Sequence, residues 1–582
     1  MKFKVMGIKS HFYHAGCCMF ALVLLFSGCK NQKNTGLQVY DGREEGWRAL
    51  SIREKAGQVV CFNYDNEIIS TFGNGSVDSL LKRYPVGSVF MASWVLSVNT
   101  PPDSLKNRYI SEVQAFEKAS EIPLLFAEDF ETGLGETIPG YSQLPGEMAL
   151  GAANNAELAS NYGSVVARQA RSLGINWLLH PVADLNLNPF NHLTNVRATG
   201  DNVERALKVL PSQIKAMQAQ GVGATAKHFP GDGTDVTNQH FSITRMTLSV
   251  DDWKKQHGKV FQKLIEDSVM AVMAGHISFP AYQKVQTEAG FLPATLSTEL
   301  MSGLLKKEMG FRGVIVSDAL NMAGVTGYFP DALETAVASF TAGADVLLWP
   351  HLSVIDTIEA RVKRGVIPME RLDDAVQRIW KMKLRLGVFD ENYQAVRPLT
   401  EQERESDNTQ AFEIAEKSVT LLHNRNNVIP IDTASSKKLM LLFISGTPLQ
   451  SSFPELVQGL QNAGFEVDVR ENLSYFSHGA QIPALAEKFQ RIIVVFSQKP
   501  GNPWGALGYS GEPALSVWSA NMFPLSKVIS ISFGDPYKNR IEMPRTWCRI
   551  NAYNSDKNSQ RAVVNILTGK SVATASSPVA FL

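Results

Sequence analysis

The stretch Phe311-Arg312-Gly313-Val314-Ile315-Val316-Ser317-Asp318-Ala319-Leu320-Asn321-Met322 sets the reading of this chain. Val314, Ile315 and Val316 leave neither face polar, the pattern of a strand buried on both sides in a parallel sheet. A helical pattern precedes it at 298–309. Another follows at 333–342, ahead of a second apolar run at 345–349. The alternation continues outward. Strands are predicted at 58–64, 87–92, 124–129, 175–182, 223–229, 271–277, 313–318 and 345–349, with helices at 103–120, 203–220 and 253–267 among the connections. Eight such units in roughly 340 residues predict a TIM-type (β/α)8 barrel with insertions, an open doubly wound sheet being the alternative.

The whole chain has 582 residues, more than one core can hold. Its 56 basic and 56 acidic side chains cancel, which argues against a broad basic surface and a nucleic-acid partner. Five Cys in this length do not make a disulfide scaffold. At the N-terminus, Lys2, Lys4 and Lys9 precede an apolar run at 15–26 with the length of a signal-peptide core. The run ends in Ser27-Gly28-Cys29, which resembles a bacterial lipobox. We expect a lipoprotein signal peptide at 1–28, lipidation of Cys29, a tether at 29–44 and a lipid-anchored place in the bacterial cell envelope. A plain secretory signal is the alternative. The barrel is expected over 45–390. Residues 391–436 begin polar and Glu-rich and read as a linker with a helix at 411–422. Strands at 438–444, 491–497 and 527–533, with helices at 454–463 and 560–567, predict a smaller α/β sandwich domain over 437–582.

Asp129, Asp184, Lys227, His228, His276 and Asp318 fall at or just past predicted strand C-termini, the edge where parallel α/β folds bind ligands. Any one such Asp could simply cap the next helix. The run Lys227-His228-Phe229-Pro230-Gly231-Asp232-Gly233-Thr234-Asp235-Val236-Thr237-Asn238-Gln239-His240 takes a strand into a Gly-rich loop that could place His240 over a site lined by Lys227 and His228. Asp318, after its apolar strand, suits a nucleophile, an anchoring acceptor or a helix N-cap. No dinucleotide or Walker fingerprint and no zinc-type ligand spacing occurs, so no cofactor or metal is expected.

These two segments together resemble family 3 glycoside hydrolases, especially the two-domain bacterial β-N-acetylglucosaminidase (β-N-acetylhexosaminidase) branch. The resemblance extends through Leu125-Phe126-Ala127-Glu128-Asp129-Phe130-Glu131-Thr132-Gly133, Pro181-Val182-Ala183-Asp184, Arg197, Gly200-Asp201, Val272-Met273-Ala274-Gly275-His276-Ile277 and Ala342-Gly343-Ala344-Asp345. It implies a retaining exo-glycosidase that hydrolyses terminal β-linked N-acetylglucosamine from a glycan or peptidoglycan fragment through a covalent glycosyl-Asp intermediate. By the same resemblance Asp318 is the nucleophile and His240 the general acid/base. Asp129, Arg197, Lys227 and His228 bind sugar hydroxyls, with Asp184 a further candidate. The branch usually carries Asp two residues before that His. Here the position is Asn238, whose amide can orient the ring but supplies no negative charge; Asn238, Asp235 and Asp232 are the candidates to support the ring. Alternatives are a β-glucosidase or β-xylosidase of the same family, with Glu512 a conceivable second-domain acid, a phosphorolytic variant, or a non-catalytic glycan-binding lipoprotein.

Overall fold

The computed structural model describes residues 44–446, 453–498 and 507–580. The expected signal peptide, Cys29 and all but the last residue of the tether lie outside them. Eight short strands form one sheet: β1 (Val60–Asn63), β2 (Ser88–Phe90), β3 (Leu125–Glu128), β4 (Trp177–Leu178), β5 (Gly223–Phe229), β6 (Ala271–Ala274), β7 (Val314–Ser317) and β8 (Leu347–Leu348). Every neighbouring pair runs parallel, in the order β8-β1-β2-β3-β4-β5-β6-β7. A parallel bridge between Val316 and Val346 joins the two ends, so the sheet closes into the expected barrel. All four residues of β7 are buried, as two-sided packing requires.

The connections carry helices such as Ala156–Leu173, capped by the Asn155 side chain and ended by Gly174 at φ +90°. The helix expected over 253–267 is two, Val250–Lys255 and His257–Glu266, broken at Gln256. The break turns His257 inward, where its Nε2 lies 2.9 Å from the Asp232 carbonyl oxygen.

One barrel helix, Met369–Arg385, buries a lysine. Among the described residues Lys383 meets only the Gln58 Oε1 acceptor, at 2.6 Å, and burial pushes its pKa down to about 7. Its folded pKa lies below its unfolded one. The unfolded chain therefore binds the extra proton between about pH 7 and 10, and this residue makes stability rise with pH across that window. Lys383→Met is expected to raise stability at neutral pH by about 1–2 kcal/mol, read as a higher urea midpoint, and to flatten that rise.

A second sheet has six strands: β9 (Thr420–Asn424), β10 (Lys438–Ile444), β11 (Glu466–Glu471), β12 (Arg491–Gln498), β13 (Val528–Gly534) and β14 (Cys548–Asn551). Their order is β9-β14-β13-β12-β10-β11, parallel except for β9. The segment expected as a linker is more ordered than its composition implied. Its helix runs Glu401–Ser418, not 411–422, and opens on a Thr400/Glu403 capping box. Buried Asp407 accepts from Arg168 and Gln169 of the barrel, which holds that helix down. Residues 420–424 leave the helix to pair antiparallel with β14.

The carboxyl ends of the second sheet's strands face the barrel mouth. Asn195 Nδ2 donates to Asp535 Oδ1 at 3.3 Å, Asn186 Nδ2 to Tyr537 Oη at 2.7 Å and Asn554 Nδ2 to the Leu144 carbonyl at 3.2 Å. Met148, Ala149 and Val196 of the barrel pack with Tyr537 and Tyr553. Cys61 and Cys548 are both buried free thiols.

Candidate active site

Five of the six polar residues singled out at strand ends stand at the same edge of the barrel. Asp129 follows β3, Lys227 and His228 end β5, His276 follows β6, and Asp318 follows β7. A cleft of about 420 Å³ opens there, lined on the barrel side by Trp94, Asp129, Glu131, Arg197 and His240 among others. The second domain closes it with Gln498, Phe533, Gly534, Tyr553, Asn554 and Ser555, none of them acidic. Glu512 begins the helix Glu512–Ala520 as an exposed residue and is not part of that lining.

One end of the site is a charge-balanced clamp. Lys227 Nζ reaches Asp129 Oδ1 at 2.7 Å and Glu131 Oε1 at 2.8 Å. Arg197 grips both oxygens of Glu131 at 2.7 Å. Burial opposes ionisation of Glu131, but the Arg197 and Lys227 charges outweigh it and hold its carboxyl well below the usual range. The same carboxylates hold Arg197 and Lys227 charged despite their burial. Four long side chains are thus fixed with donors and acceptors interleaved, suited to vicinal hydroxyls. Beneath Asp129, Glu128 takes its main-chain N–H at 2.6 Å and the Tyr109 hydroxyl at 2.9 Å.

Glu131 was visible in the sequence only as part of a motif, not as a site residue. Its signal was spacing: it lies two residues past Asp129, beside a strand-end lysine it could pair with. Glu131→Gln is expected to lower stability at pH 7 by about 3 kcal/mol, because it takes the paired carboxylate from Arg197 and leaves Lys227 with Asp129 alone. Since its folded pKa is depressed, the wild-type advantage is present above about pH 4 and fades as pH falls below it. Urea unfolding of both proteins at pH 7 and at low pH checks this.

The other end is built on imidazoles. Asp184 Oδ1 accepts the His228 and Asp232 main-chain N–H groups at 3.0 and 2.7 Å, and its Oδ2 meets His228 Nδ1 at 2.7 Å. Asp184 therefore aims His228 rather than lining the cleft. Burial and the Asp184 charge push Asp232 up to about 7. His276 Nε2 lies 3.0 Å from the Ala319 carbonyl, which only accepts, so that nitrogen carries the hydrogen. Asp318 receives the Ala319 N–H at 2.8 Å. Burial would raise its pKa, but His276, His228, that N–H and His240 prevail and keep it below the usual carboxylate range. It is an ionised acceptor, not a helix cap: residues 319–330 form turns, and the next helix starts at Ala332 with its own Asp331 cap.

The loop after β5 folds as its glycines require. Gly231 and Gly233 have φ of +124° and +98°. A Cβ on Gly231 would lie 2.1 Å from the His257 ring, and one on Gly233 2.1 Å from the Leu185 oxygen. The loop brings His240 into the cleft beside Asp318. Asn238 Oδ1 accepts both the His240 main-chain N–H at 3.0 Å and its Nδ1–H at 2.9 Å. The two aspartate candidates to support the ring are engaged elsewhere. Asp232 Oδ1 takes the Gly233 N–H and Asn191, while Asp235 takes the Val236 and Arg245 N–H groups. The ring's partner is therefore neutral. Burial lowers the His240 pKa to about 4; Asp318 opposes this, while Arg197, His228 and His276 add to it.

Residues 51–382 match the glycosyl hydrolase family 3 N-terminal domain. A protein of Cellulomonas fimi named β-N-acetylglucosaminidase/β-glucosidase is 28% identical over 542 residues, 90% of this chain and 93% of its own. The solved structure of a β-glucoside phosphorylase, BglX, is similar with a TM-score of 0.78 at 27% identity, covering 92% of this chain and 95% of its own. That of a family 3 β-N-acetylglucosaminidase from a Paenibacillus strain has a TM-score of 0.77 at 27% identity, covering 92% and 99%. The closed parallel barrel, the strand-end site and the match across 51–382 agree: the chain belongs to glycosyl hydrolase family 3.

Proposed function

We propose that this glycoside hydrolase removes terminal β-linked N-acetylglucosamine with retention, using Asp318 as nucleophile and His240 as general acid/base. Asp129, Arg197, Lys227 and His228 hold the sugar hydroxyls in this reading. The observation that carries it is the source of the acid. Among the described residues the second domain lends the cleft no carboxylate, and His240 is the titratable group its own loop delivers beside ionised Asp318. In the first step Asp318 attacks the anomeric carbon while His240 protonates the departing oxygen. In the second, neutral His240 takes a proton from the acceptor as it displaces Asp318. The names borne by the Cellulomonas and Paenibacillus relatives support N-acetylglucosamine as the sugar.

A second reading has its own support. A neutral His–Asn pair does not repel an anionic acceptor, and the fold is similar to that of a β-glucoside phosphorylase. Phosphate would then attack the glycosyl-Asp318 ester and release a sugar 1-phosphate. Nitrophenyl N-acetylglucosaminide, glucoside and xyloside, each assayed with and without phosphate, separate these outcomes. Fastest turnover of the N-acetylglucosaminide is expected. Sugar binding without turnover of any glycoside would end the enzymatic reading.

We also infer a lipid anchor on Cys29 and a place in the cell envelope, from the Ser27-Gly28-Cys29 motif alone. Radiolabelled palmitate should enter the wild-type chain and not Cys29→Ala.

A further inference from the structure

His192 lies across Asn238 from His240. Its Nε2 is 3.3 Å from Asn238 Nδ2, while Asn238 Oδ1 faces His240. A carboxylate in this place would accept hydrogen bonds at both ends. An amide accepts at one end and donates at the other, so its orientation matters. His240 needs the accepting end throughout the reaction. As imidazolium it carries Nδ1–H and gives up the Nε2 proton; as neutral base it keeps Nδ1–H and offers the Nε2 lone pair. The donor end against Nδ1 would exclude the imidazolium altogether.

Two contacts oppose that wrong orientation. The His240 main-chain N–H requires Oδ1, and His192 Nε2 takes the donor end. The loop that carries His192 is stapled to the loop that carries Asn238. Asn191 Nδ2 donates to Asp232 Oδ1 at 3.1 Å and to the Asp235 carbonyl at 2.7 Å, and the Asn188 N–H donates to the Gly233 carbonyl at 2.8 Å. This gives Asp232 and Asp235 a task other than partnering the ring: they fix the distance between two loops.

We propose that His192 is a positioning residue for catalysis, accepting from Asn238 Nδ2 and so locking the amide with its oxygen on His240 Nδ1. The relay His192–Asn238–His240 supplies by orientation part of what a carboxylate supplies by charge. The inference rests on His240 being the acid/base. Burial lowers the pKa of His192, which preserves its lone pair at neutral pH. The charged or titratable groups acting on His240 are Asp318, Arg197, His228 and His276; of these, Arg197 shares with His192 the connection between β4 and the helix Val203–Ala219.

The test compares full-length wild type, His192→Ala and His192→Gln on an alkyl glycoside and on the 2,4-dinitrophenyl glycoside of the same sugar. Histidine-selective 15N labelling reports the His240 tautomer. In His192→Ala we expect the alkyl glycoside to slow about 10–100-fold and the activated one less than about threefold, with the His240 Nδ1–H signal lost or broadened. The Gln carbonyl can accept from the amide, so His192→Gln should recover most of the rate and restore the signal. Equal loss on both substrates with the Nδ1–H signal intact would mean that His192 only supports its loop, and overturns the proposal. So does the absence of any change. Unimpaired alkyl-glycoside turnover by His240→Ala would instead remove His240 from the acid/base role, a failure seen without touching His192.

Discussion

Replacing Asp318 by alanine is expected to cut kcat/KM for an aryl glycoside by about 10⁴-fold or more. The effect is large because Asp318 is the ionised carboxylate on which His276, His228 and His240 all act. The clamp carboxylates are tied to Lys227 and Arg197 instead. Loss of the one hydrogen bond from the Ala319 N–H costs only about 1 kcal/mol, so the variant should fold. Its vacated space admits a small anion. Azide should restore turnover of the 2,4-dinitrophenyl glycoside and yield the α-glycosyl azide, since attack then comes from the face Asp318 occupied. His240→Ala should respond to azide with the β-glycosyl azide, because there the intermediate on Asp318 still forms first. The anomer read by proton NMR thus assigns each residue its step. A β product from Asp318→Ala would show that attack on the anomeric carbon comes from some other side chain.

The barrel was legible in the sequence because burial on both faces writes itself as runs such as Val314–Val316, and each of its eight strands falls within its expected run. What composition hid was tertiary. The Glu-rich stretch before residue 420 reads as solvent-facing, yet buried Asp407 accepts from Arg168 and Gln169 and so docks it on the barrel. Residues 420–424 carry no strand signal stronger than the helical one; only pairing with Cys548–Asn551 decides. In the site, residues announced by a strand end were found, because the barrel brings strand ends together. Glu131 and His192 lie past those ends, where the chain's path and not its period determines which side chains meet. Asn238 was identified as a departure from the family pattern, but the sequence could not show that Asp232 and Asp235 were already occupied.

That departure has the second large expected consequence. His240 serves as acid only when doubly protonated, and its pKa stands at about 4. Asp318 must be ionised, and its pKa is held below the ordinary value. The productive form of the free enzyme therefore peaks below about pH 4, and kcat/KM for an alkyl glycoside should fall about tenfold per pH unit above pH 5. The 2,4-dinitrophenyl glycoside needs no proton on leaving and should show no such limb. Asn238→Asp places a negative charge in the position now held 2.9 Å from Nδ1. A carboxylate there raises a histidine pKa by about 1–3 units, moving the alkaline limb up by as much. At pH 7 the variant should cleave the alkyl glycoside about 10–1000-fold faster than wild type, while the activated substrate changes little. If phosphate accelerates the wild type, the added charge should blunt that acceleration, since phosphate would then approach an anion. Coincident pH profiles for the two proteins on the alkyl glycoside would mean that the residue at 238 does not set the proton affinity of the acid, and that another group delivers the proton.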